Sequence, residues 1–385
     1  MDKVLVIGAS TIQSPLINEL REQGFYVYAV SNIEGDKAHK EADEFHNISS
    51  TNYPKIKELI EQENISNAFS IGSDLALRTL CKLATHFSWV NHPKTDEFES
   101  LHNKAKVRET LNKEGISKIK CQCAKEYSDD LFDFEEYERW VIKPVDGYGS
   151  KGVHLLEQYH DKEKYFKIAL LHSIEKTVII EPFIEGKQLT IEFFIDNKGK
   201  VIPMMTVEKQ INEAFVPYLY LIGHNADYKK KLIKISEALN LKPGFYNADL
   251  IETENGVELM DIAPRLGGNH LALLYKQAFE GNSVTDYIRF VLEGTPLDPA
   301  THPKNTGLYI LHHAKGGQIT SLSKEPEFVK VLAKDYWATI GDKIPAFTQG
   351  NQQQGYLIFE LDKKMDLAEV DNLFKENRII EVKEH

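Results

Sequence analysis

Apolar and polar residues alternate along two neighbouring stretches of the chain, residues 245–253 and 257–263. Alternation with a period of two residues predicts β-strands that bury one face. The stretches are separated by Glu254, Asn255 and Gly256, and an Asn-Gly pair favours the backbone conformations with positive φ that a hairpin turn needs. We therefore predict an antiparallel β-hairpin.

The length of the turn decides which side chains of this hairpin face each other. If Asn255 and Gly256 formed a loop of two residues, Asp249 and Asp261 would point to opposite faces of the sheet. With a loop of three residues, 254–256, Thr253 pairs with Val257, and Asp249 lies across from Asp261 with Cβ atoms about 5 Å apart. Two carboxylates at that distance repel each other unless they share a cation, and Mg²⁺ is usually held by one or two carboxylates together with water and substrate phosphates. We expect the three-residue turn and a magnesium site; a solvated acidic hairpin is the alternative.

The residues after the hairpin carry groups suited to anions. Arg265 follows the second carboxylate by four positions, and a guanidinium can hold a phosphoryl or acyl-phosphate oxygen through two hydrogen bonds. Gly267 and Gly268, before Asn269, allow the backbone to approach a ligand closely. A structural ion pair for the arginine and an ordinary loop for the glycines are the alternatives.

Strand and helix signals alternate along the first hundred residues. Apolar strand patterns at 4–7 and 26–30 flank a helical pattern at about 12–23, which predicts a doubly wound α/β unit. The glycine turn after the first strand lacks the GxGxxG spacing of a dinucleotide site, so we expect a structural or substrate-side role. A later strand runs into a helix that Ser73 or Asp74 is expected to cap.

A glycine-rich loop follows a predicted strand at 140–143. The loop, called the glycine loop below, consists of Gly147, Tyr148, Gly149, Ser150, Lys151 and Gly152. Backbone N–H groups of such a loop can bind phosphates, and Lys151 adds positive charge; a flexible surface hairpin is the alternative. Lys143 lies inside the apolar strand, where burial of an ammonium is expensive unless it meets an anion such as an α- or β-phosphate.

A further strand pattern at 178–186 precedes a possible purine site. Exposed backbone groups around Glu181 and Ile184 could match the edge of an adenine, while Phe183 and Ile184 cover its face and Gln188 reaches the ribose. An ordinary edge strand explains the apolar residues equally well.

Composition limits the class of protein. The chain has 385 residues, long enough for two or three domains, and a net charge of −12, which disfavours nucleic acid as a partner. No apolar run reaches the length of a membrane span and the chain begins with a strand pattern, so we expect a cytoplasmic protein without a membrane partner. Cys81 lies in an apolar helical pattern, and Cys121 and Cys123 lack a second ligand pair for zinc, so free thiols are expected.

Ordered motifs span roughly residues 104–269: NKAKVRETLNKEGI, VIKPVDGYGSKGV, IIEPFIEGKQLTIE, and ADLIET followed by MDIAPRLGG. Together they resemble the ATP-grasp superfamily of carboxylate–amine ligases. The resemblance implies an α/β (α+β) fold with a doubly wound pre-ATP-grasp domain at 1–95. It also implies a two-subdomain ATP-grasp domain at 96–302, with the glycine-rich lid at about 120–187, and a small β-rich C-terminal domain at 303–385.

The resemblance also implies a role for each candidate residue. For ATP, it implies that Lys104 and Lys143 contact the phosphates, that Glu181, Phe183 and Ile184 frame the adenine, that Gln188 contacts the ribose, and that the nucleotide is closed over by Gly147, Tyr148, Gly149, Ser150, Lys151 and Gly152. For the metal, it implies that Asp249 and Asp261 bind Mg²⁺ (or Mn²⁺). For the reaction, it implies that Arg265 stabilises the transferred phosphoryl group and the tetrahedral intermediate, and that the substrate is contacted by Arg265, Gly267, Gly268 and Asn269.

Three positions depart from the family pattern. Gln188 replaces the usual glutamate at the ribose position, Asp261 stands where glutamate is commoner, and Ala263 replaces an asparagine that often supplies a metal ligand. Metal binding is therefore expected with fewer protein ligands.

The implied function is ATP-dependent joining of a small-molecule carboxylate to an amine through an acyl phosphate. The alternatives are activation of bicarbonate or formate, and a non-catalytic ATP-binding module. No histidine is assigned a catalytic role; His270 is the nearest to the site in sequence. Family members are often dimers, and an exposed apolar stretch at 215–221 would be compatible with a homodimer.

Overall fold

The computed structural model describes residues 1–33, 38–132, 137–158, 160–223, 228–295, 297 and 303–384. The expected lid subdomain, at about 120–187, thus lies partly outside the described residues. The strands are β1 (Lys3–Ile7), β2 (Tyr26–Val30), β3 (Glu44–His46), β4 (Asn67–Phe69), β5 (Gln122–Ala124), β6 (Arg139–Pro144), β7 (His154–Glu157), β8 (Val178–Pro182), β9 (Lys187–Ile195), β10 (Val201–Ile211), β11 (Pro217–Ile222), β12 (Gly244–Thr253), β13 (Gly256–Ala263), β14 (Thr306–Leu311), β15 (Gly317–Leu322), β16 (Lys330–Tyr336), β17 (Lys343–Ile344), β18 (Gly355–Glu360) and β19 (Ile380–Lys383). The α-helices are α1 (Ser14–Glu22), α2 (Tyr53–Glu63), α3 (Asp74–His86), α4 (Thr95–His102), α5 (Lys104–Lys113), α6 (Lys162–Leu171), α7 (Lys229–Ala238), α8 (Leu271–Ala278), α9 (Ser283–Glu293) and α10 (Leu367–Glu376).

The N-terminal unit is a parallel sheet in the order β3-β2-β1-β4, as the alternating strand and helix patterns predict. The first helix begins at Ser14, after a short 3₁₀ turn at Thr11–Gln13, and not at Ile12. The predicted cap of α3 is Ser73, whose Oγ accepts a hydrogen bond from the backbone N–H of Ala76 at 3.3 Å. This leaves the carboxylate of Asp74 free for another contact.

A small antiparallel sheet, β5-β8-β6-β7, carries the glycine loop between β6 and β7 and is called the lid sheet below. Its apolar face packs against α6 through buried Trp140, Ile142 and Phe166. The opposite face carries the polar side chains of β6 and β8 described below.

The largest sheet has the order β13-β12-β9-β10-β11-β14-β18-β16. Its first five strands come from the centre of the sequence, and β14, β16 and β18 from the C-terminal region extend the same sheet. One face buries Ala248 and Leu250 against α5 and α7. The other face buries Phe194 and Phe245 against Phe290 of α9. A third antiparallel sheet, β17-β15-β19, completes the C-terminal region.

The hairpin of β12 and β13 has the predicted carboxylate pairing but not the predicted turn. Asp249 pairs with Asp261, whereas Thr253 pairs with Gly256 and not with Val257. The loop therefore has two residues, and a β-bulge at Met260, between the pairs Leu250–Leu259 and Asp249–Asp261, restores the register. The expectation of a three-residue turn was wrong because a bulge can absorb the extra residue.

The apolar stretch proposed as exposed lies in the core instead. Residues 216 and 218–221 are buried, with Leu219 fully so, because β11 is an interior strand between β10 and β14. This stretch is therefore unavailable as a subunit contact. Cys81 is buried and all three cysteines are free thiols, as expected. Within the described residues, no helix is both long and apolar enough to span a membrane.

Candidate active site

Asp249 and Asp261 lie side by side on β12 and β13, and their side chains are 38% and 48% exposed. Oδ1 of Asp249 accepts a hydrogen bond from Oγ1 of Thr190 at 2.6 Å. Oδ1 of Asp261 lies 3.7 Å from the ammonium of Lys104. Two accessible carboxylates on one face offer the hard oxygen donors that Mg²⁺ prefers, so these residues fit the metal. No group of three or more candidate metal ligands occurs among the described residues.

Lys209 of β10 is a site residue that the sequence analysis missed. Its ammonium lies 2.6 Å from Oδ1 of Asp249, and its side chain is only 6% exposed. The sequence could have indicated Lys209, because it is a lysine within an alternating strand. As for Lys143, burial of its ammonium is expensive unless it meets an anion. The carboxylate pair therefore lies between two ammonium groups, with Lys104 on one side and Lys209 on the other.

Lys104 links the glycine loop to the carboxylates. It begins α5, whose cap is Asn103, with Oδ1 accepting a hydrogen bond from the backbone N–H of Lys106 at 3.0 Å. The ammonium of Lys104 donates to the carbonyl of Gly147 at 2.9 Å while facing Asp261. The helix start thus positions the cation where the loop meets the carboxylate pair.

The anion that meets buried Lys143 is Glu181. One oxygen of Glu181 lies 2.5 Å from the Lys143 ammonium, and the other accepts a hydrogen bond from Nε of Arg108 at 2.7 Å. Burial by itself would raise the pKa of Glu181, but the charges and hydrogen bonds of Lys143 and Arg108 outweigh it and lower the pKa to about 2. The triad joins α5 to both central strands of the lid sheet, so the Glu181 side chain serves to position Lys143.

The region proposed for adenine lies at the end of β8. The backbone N–H of Phe183 donates to the carbonyl of Arg139 at 2.9 Å and is therefore already engaged. Phe183 and Ile184 line a cavity of about 1330 Å³ that also includes Tyr137, and the lining contains neither Asp249 nor Asp261. Gln188, on β9, pairs in register with Ile251.

The glycine loop uses backbone conformations that favour glycine. Gly149 has φ of 61° and Gly152 has φ of 73°. A Cβ at Gly147 would lie 2.4 Å from Cγ of Pro144, so the loop turns tightly over the end of β6. At its tip, Oγ of Ser150 donates to the carbonyl of Phe215 at 3.0 Å, which places the loop against the β10–β11 turn.

The base of the glycine loop is held by a further residue that sequence reasoning did not single out. Asp146 is buried, and its Oδ1 accepts hydrogen bonds from Oγ of Ser173 at 2.6 Å and from the backbone N–H of Ile174 at 3.1 Å. Its Oδ2 accepts from the backbone N–H of Glu175 at 2.9 Å. These hydrogen bonds fix the base of the glycine loop.

Arg265 forms an ion pair across two units of the fold. Its Nε and one terminal nitrogen each lie 2.7 Å from Oδ1 of Asp74, at the start of α3. Burial would raise the pKa of Asp74, yet the charge of Arg265 and its hydrogen bond lower it. The structural ion pair considered for Arg265 is present, and it places the guanidinium beside the N-terminal unit.

His102, and not His270, lies among these charges. It lines a small space together with Asp74 and Asp261. Burial and then the charge of Lys104 lower the pKa of His102, while the two carboxylates oppose the shift. His270 is buried, with its ring stacked on Tyr356 at a centroid distance of 4.3 Å. The histidine nearest in sequence is therefore a packing residue.

Gly267, Gly268 and Asn269 form a crowded connection to α8. The backbone N–H of Gly267 donates to Oε1 of Glu192 at 2.6 Å. A Cβ built on Gly72 would lie 2.8 Å from Cα of Gly268, so the connection packs directly on the N-terminal unit. Nδ2 of Asn269 donates to the Tyr220 hydroxyl at 2.7 Å. The glycines are required by this close approach.

Glu192 is a buried carboxyl group beneath that connection. It is 1% exposed, and burial raises its pKa to about 7 against the opposing effects of the Gly267 N–H and of Arg265. At neutral pH a large share of this residue is therefore protonated.

Residues 101–269 match the family model described as the ATP-grasp domain. This segment is an ATP-grasp domain. The chain is 24% identical over 281 residues to an uncharacterized protein of Methanocaldococcus jannaschii, a match that covers 70% of this chain and 69% of that protein. It is 22% identical over 281 residues to a formate-dependent phosphoribosylglycinamide formyltransferase of Methanococcus maripaludis, with 68% of this chain and 70% of that protein covered.

The likeness to solved structures extends beyond this domain. The L-amino acid ligase of Bacillus licheniformis superimposes with a TM-score of 0.79 at 15% identity, covering 100% of this chain and 99% of that chain. A likeness at that identity establishes the fold. The expected fold class is confirmed, with the parallel N-terminal sheet, the antiparallel core and the small C-terminal sheet all present.

Proposed function

We propose that this protein is an ATP- and Mg²⁺-dependent ligase that activates a small-molecule carboxylate as an acyl phosphate and couples it to an amine. The observation that carries the proposal is the Asp249–Asp261 pair, held between Lys104 and Lys209 beneath the glycine loop. The L-amino acid ligase with the same architecture supports it.

In the first step the substrate carboxylate would attack the γ-phosphorus of ATP, and ADP would leave. Phosphoryl transfer depends on charge neutralisation and in-line positioning, so it requires no nucleophilic side chain. Lys104 and Lys143 would contact the phosphates, with Glu181 and Arg108 fixing the latter lysine. Mg²⁺ on Asp249 and Asp261 would supply further neutralisation of phosphate charge.

In the second step the amine would attack the acyl carbon and expel phosphate. The guanidinium of Arg265 would hold the phosphoryl oxygens and the oxyanion that develops at the acyl carbon. The glycine loop, seated on the carbonyl of Phe215 through Ser150, would exclude water that otherwise hydrolyses the acyl phosphate. Substrate contact by Gly267, Gly268 and Asn269 belongs to the same proposal.

A screen for ADP release with panels of carboxylates and amines tests this function. Asp261→Asn should reduce Mg²⁺-dependent ADP formation by about 10²-fold or more. The fold should persist because the Asp261 side chain is half exposed, and exposed Asp362→Asn is the matched control. Turnover near that of the wild type in Asp261→Asn would contradict the assignment.

A second candidate is activation of formate or bicarbonate. It is favoured by the formate-dependent formyltransferase among the relatives. ADP release that responds to formate or bicarbonate, with no response to amino acids, would select it. ATP binding without ADP release under any condition would instead indicate a non-catalytic module.

We also propose the domain limits 1–95, 96–302 and 303–385, a cytoplasmic location and a homodimer. The change from a parallel to an antiparallel sheet after α3 supports the first limit. Sedimentation velocity would determine the oligomeric state, and a single monomeric species at micromolar concentration would contradict the homodimer.

A further inference from the structure

A second large cavity, of about 1110 Å³, lies where the lid meets the C-terminal region. Three parts of the chain enclose it. They are the lid residues 150–155 with part of α6, the β10–β11 turn at 210–214, and the C-terminal residues 312–315 and 347–349 with α10. With the proposed ATP site it shares only the tip of the glycine loop, because Asp249, Asp261 and Arg265 are absent from its lining.

The walls of this cavity carry an excess of positive charge. Lys151 comes from the glycine loop, and Arg378 comes from the C-terminal region. The acidic residues in the lining are Glu213 and Asp371, and Asp371 already receives the ammonium of Lys375 at 2.6 Å and the hydroxyl of Tyr218 at 3.0 Å. Arg378 has no ion-pair partner within the described part of the chain. The cavity is therefore electrostatically suited to an anion.

The C-terminal wall of the cavity carries His313, Lys315 and Arg378. Burial lowers the pKa of His313, and the charges of Arg378 and Lys315 lower it further. Lys315 is paired with Glu384 at 3.1 Å and is largely exposed, so Arg378 remains the principal cation of this wall. His313 lies beside Arg378 in this wall.

The lid wall of the cavity also carries a histidine. His154 begins β7, and its Nε2 is buried without a hydrogen-bond partner among the described residues. Burial, and then the neighbouring His172 and Lys164, lower the pKa of His154, so the ring is a neutral donor or acceptor. A buried polar atom without a partner is costly, and rotation of this ring into the cavity would let a ligand satisfy it.

The two walls are already linked through the β10–β11 turn. Ser150 donates to the carbonyl of Phe215, and Nδ2 of Asn212 donates to the carbonyl of Phe347 at 2.6 Å. Oδ1 of Asn212 accepts from the backbone N–H groups of Ala214 and Val216, each at 3.0 Å, which fixes the turn. The position of the lid is therefore coupled to the C-terminal region at this cavity.

We propose that the cavity binds a small-molecule anion, with phosphate or carboxylate groups, between Lys151 and His154 of the lid and His313 and Arg378 of the C-terminal region. The positive charges of Lys151 and Arg378, on opposite walls, repel each other. An anion bound between them would attract both. Occupancy therefore favours the closed lid. The proposed binding of an anion does not depend on the ligase function proposed above. The effect of lid closure on turnover does depend on it.

Titration calorimetry of the full chain without nucleotide tests the site, with pyrophosphate and citrate as separate probes. Arg378→Gln and His313→Gln should each weaken binding of the preferred probe by about tenfold or more. Lys167→Gln, an exposed change on α6, should leave it unaltered. Preference for pyrophosphate identifies a phosphate ligand, and preference for citrate identifies a carboxylate ligand.

Lid closure has its own measurement, because trypsin cleaves after Lys151. The bound probe should slow this cleavage in the wild type and not in Arg378→Gln. Equal binding by the wild type and both cavity variants, or no binding of either probe, would overturn the proposal. Because neither assay uses ATP or ADP formation, that failure would leave the proposed ligase activity standing, and a failed ADP screen would leave this site standing.

Discussion

The ammonium of Lys143 lies 2.5 Å from Glu181, which also accepts a hydrogen bond from Arg108. All three side chains are at least nine-tenths buried. The Glu181 carboxylate therefore balances two buried cations, and the position of Lys143 depends on it.

Glu181→Gln should destabilise the fold by about 3–5 kcal/mol, because it leaves two buried cations without their counter-charge. It should also raise the KM for ATP, since Lys143 loses its support. Urea unfolding and initial-rate kinetics measure the two effects. The matched control is Glu163→Gln on α6, whose side chain is 53% exposed, and a similar loss in both variants would contradict the prediction.

Asp74→Asn should reduce kcat by about tenfold while the fold persists, because the neutral amide holds the Arg265 guanidinium less firmly. Arg265→Lys should reduce kcat by about 10² or more, since a lysine cannot reproduce the paired donors. Steady-state kinetics of ADP release measure both. Asp96→Asn, an exposed acid in the first turn of α4, is the control and should retain wild-type kcat. A larger loss of kcat in Asp74→Asn than in Arg265→Lys would contradict the prediction that Asp74 acts by holding Arg265.

Glu192 should make the stability of the fold depend on pH. Its pKa rises from 4.5 to about 7 on folding, so the folded state binds the proton more tightly. The stabilisation is fully present below pH 4.5 and is lost as pH rises to about 7, a change of about 3 kcal/mol.

Glu192→Gln removes this titration and keeps an oxygen that can accept from the Gly267 N–H. Denaturant unfolding at pH 5 and pH 8 should therefore show a smaller difference in the variant than in the wild type. Glu22→Gln, at the exposed end of α1, should preserve the wild-type difference. An unchanged difference in Glu192→Gln would exclude Glu192 as its source.

Gly72→Ala should separate the N-terminal unit from the connection to α8. Gly72 has φ of 65°, and a Cβ there would lie 2.7 Å from Cγ2 of Ile12 and 2.8 Å from Cα of Gly268. Gly115 has nearly the same φ, 68°, with nothing within 4 Å of its built Cβ. Gly115→Ala should cost about 1 kcal/mol from backbone strain, and Gly72→Ala about 2 kcal/mol more from the clash. Equal losses on thermal unfolding would show that crowding at Gly72 is relieved easily.

The sequence was sufficient to pair Asp249 with Asp261, because strand alternation and a glycine turn are local signals. It did not reveal how the pairing arises, since a bulge at Met260 carries no sequence signature. The pairing of Asp249 with Asp261 was therefore predicted correctly, but the three-residue turn from which it was predicted was wrong.

The partners of the charged residues could not be predicted in the same way. Arg265 and Asp74 are 191 positions apart, and they meet only because the core packs on the N-terminal unit. Glu181 was considered for its backbone, and its side chain gains its role from strand pairing in the lid sheet. Lys209 is different, because the burial argument applied to Lys143 would have found it.

The bulge at Met260 also bears on how related chains should be aligned. A two-residue turn with the bulge and a three-residue turn without it bring the same two carboxylates together. A relative with a longer turn would therefore keep its two carboxylates side by side if it lacked a residue near position 260. An alignment that forbids gaps inside strands would shift one of the two aspartates by a position and would wrongly suggest that this carboxylate had been lost.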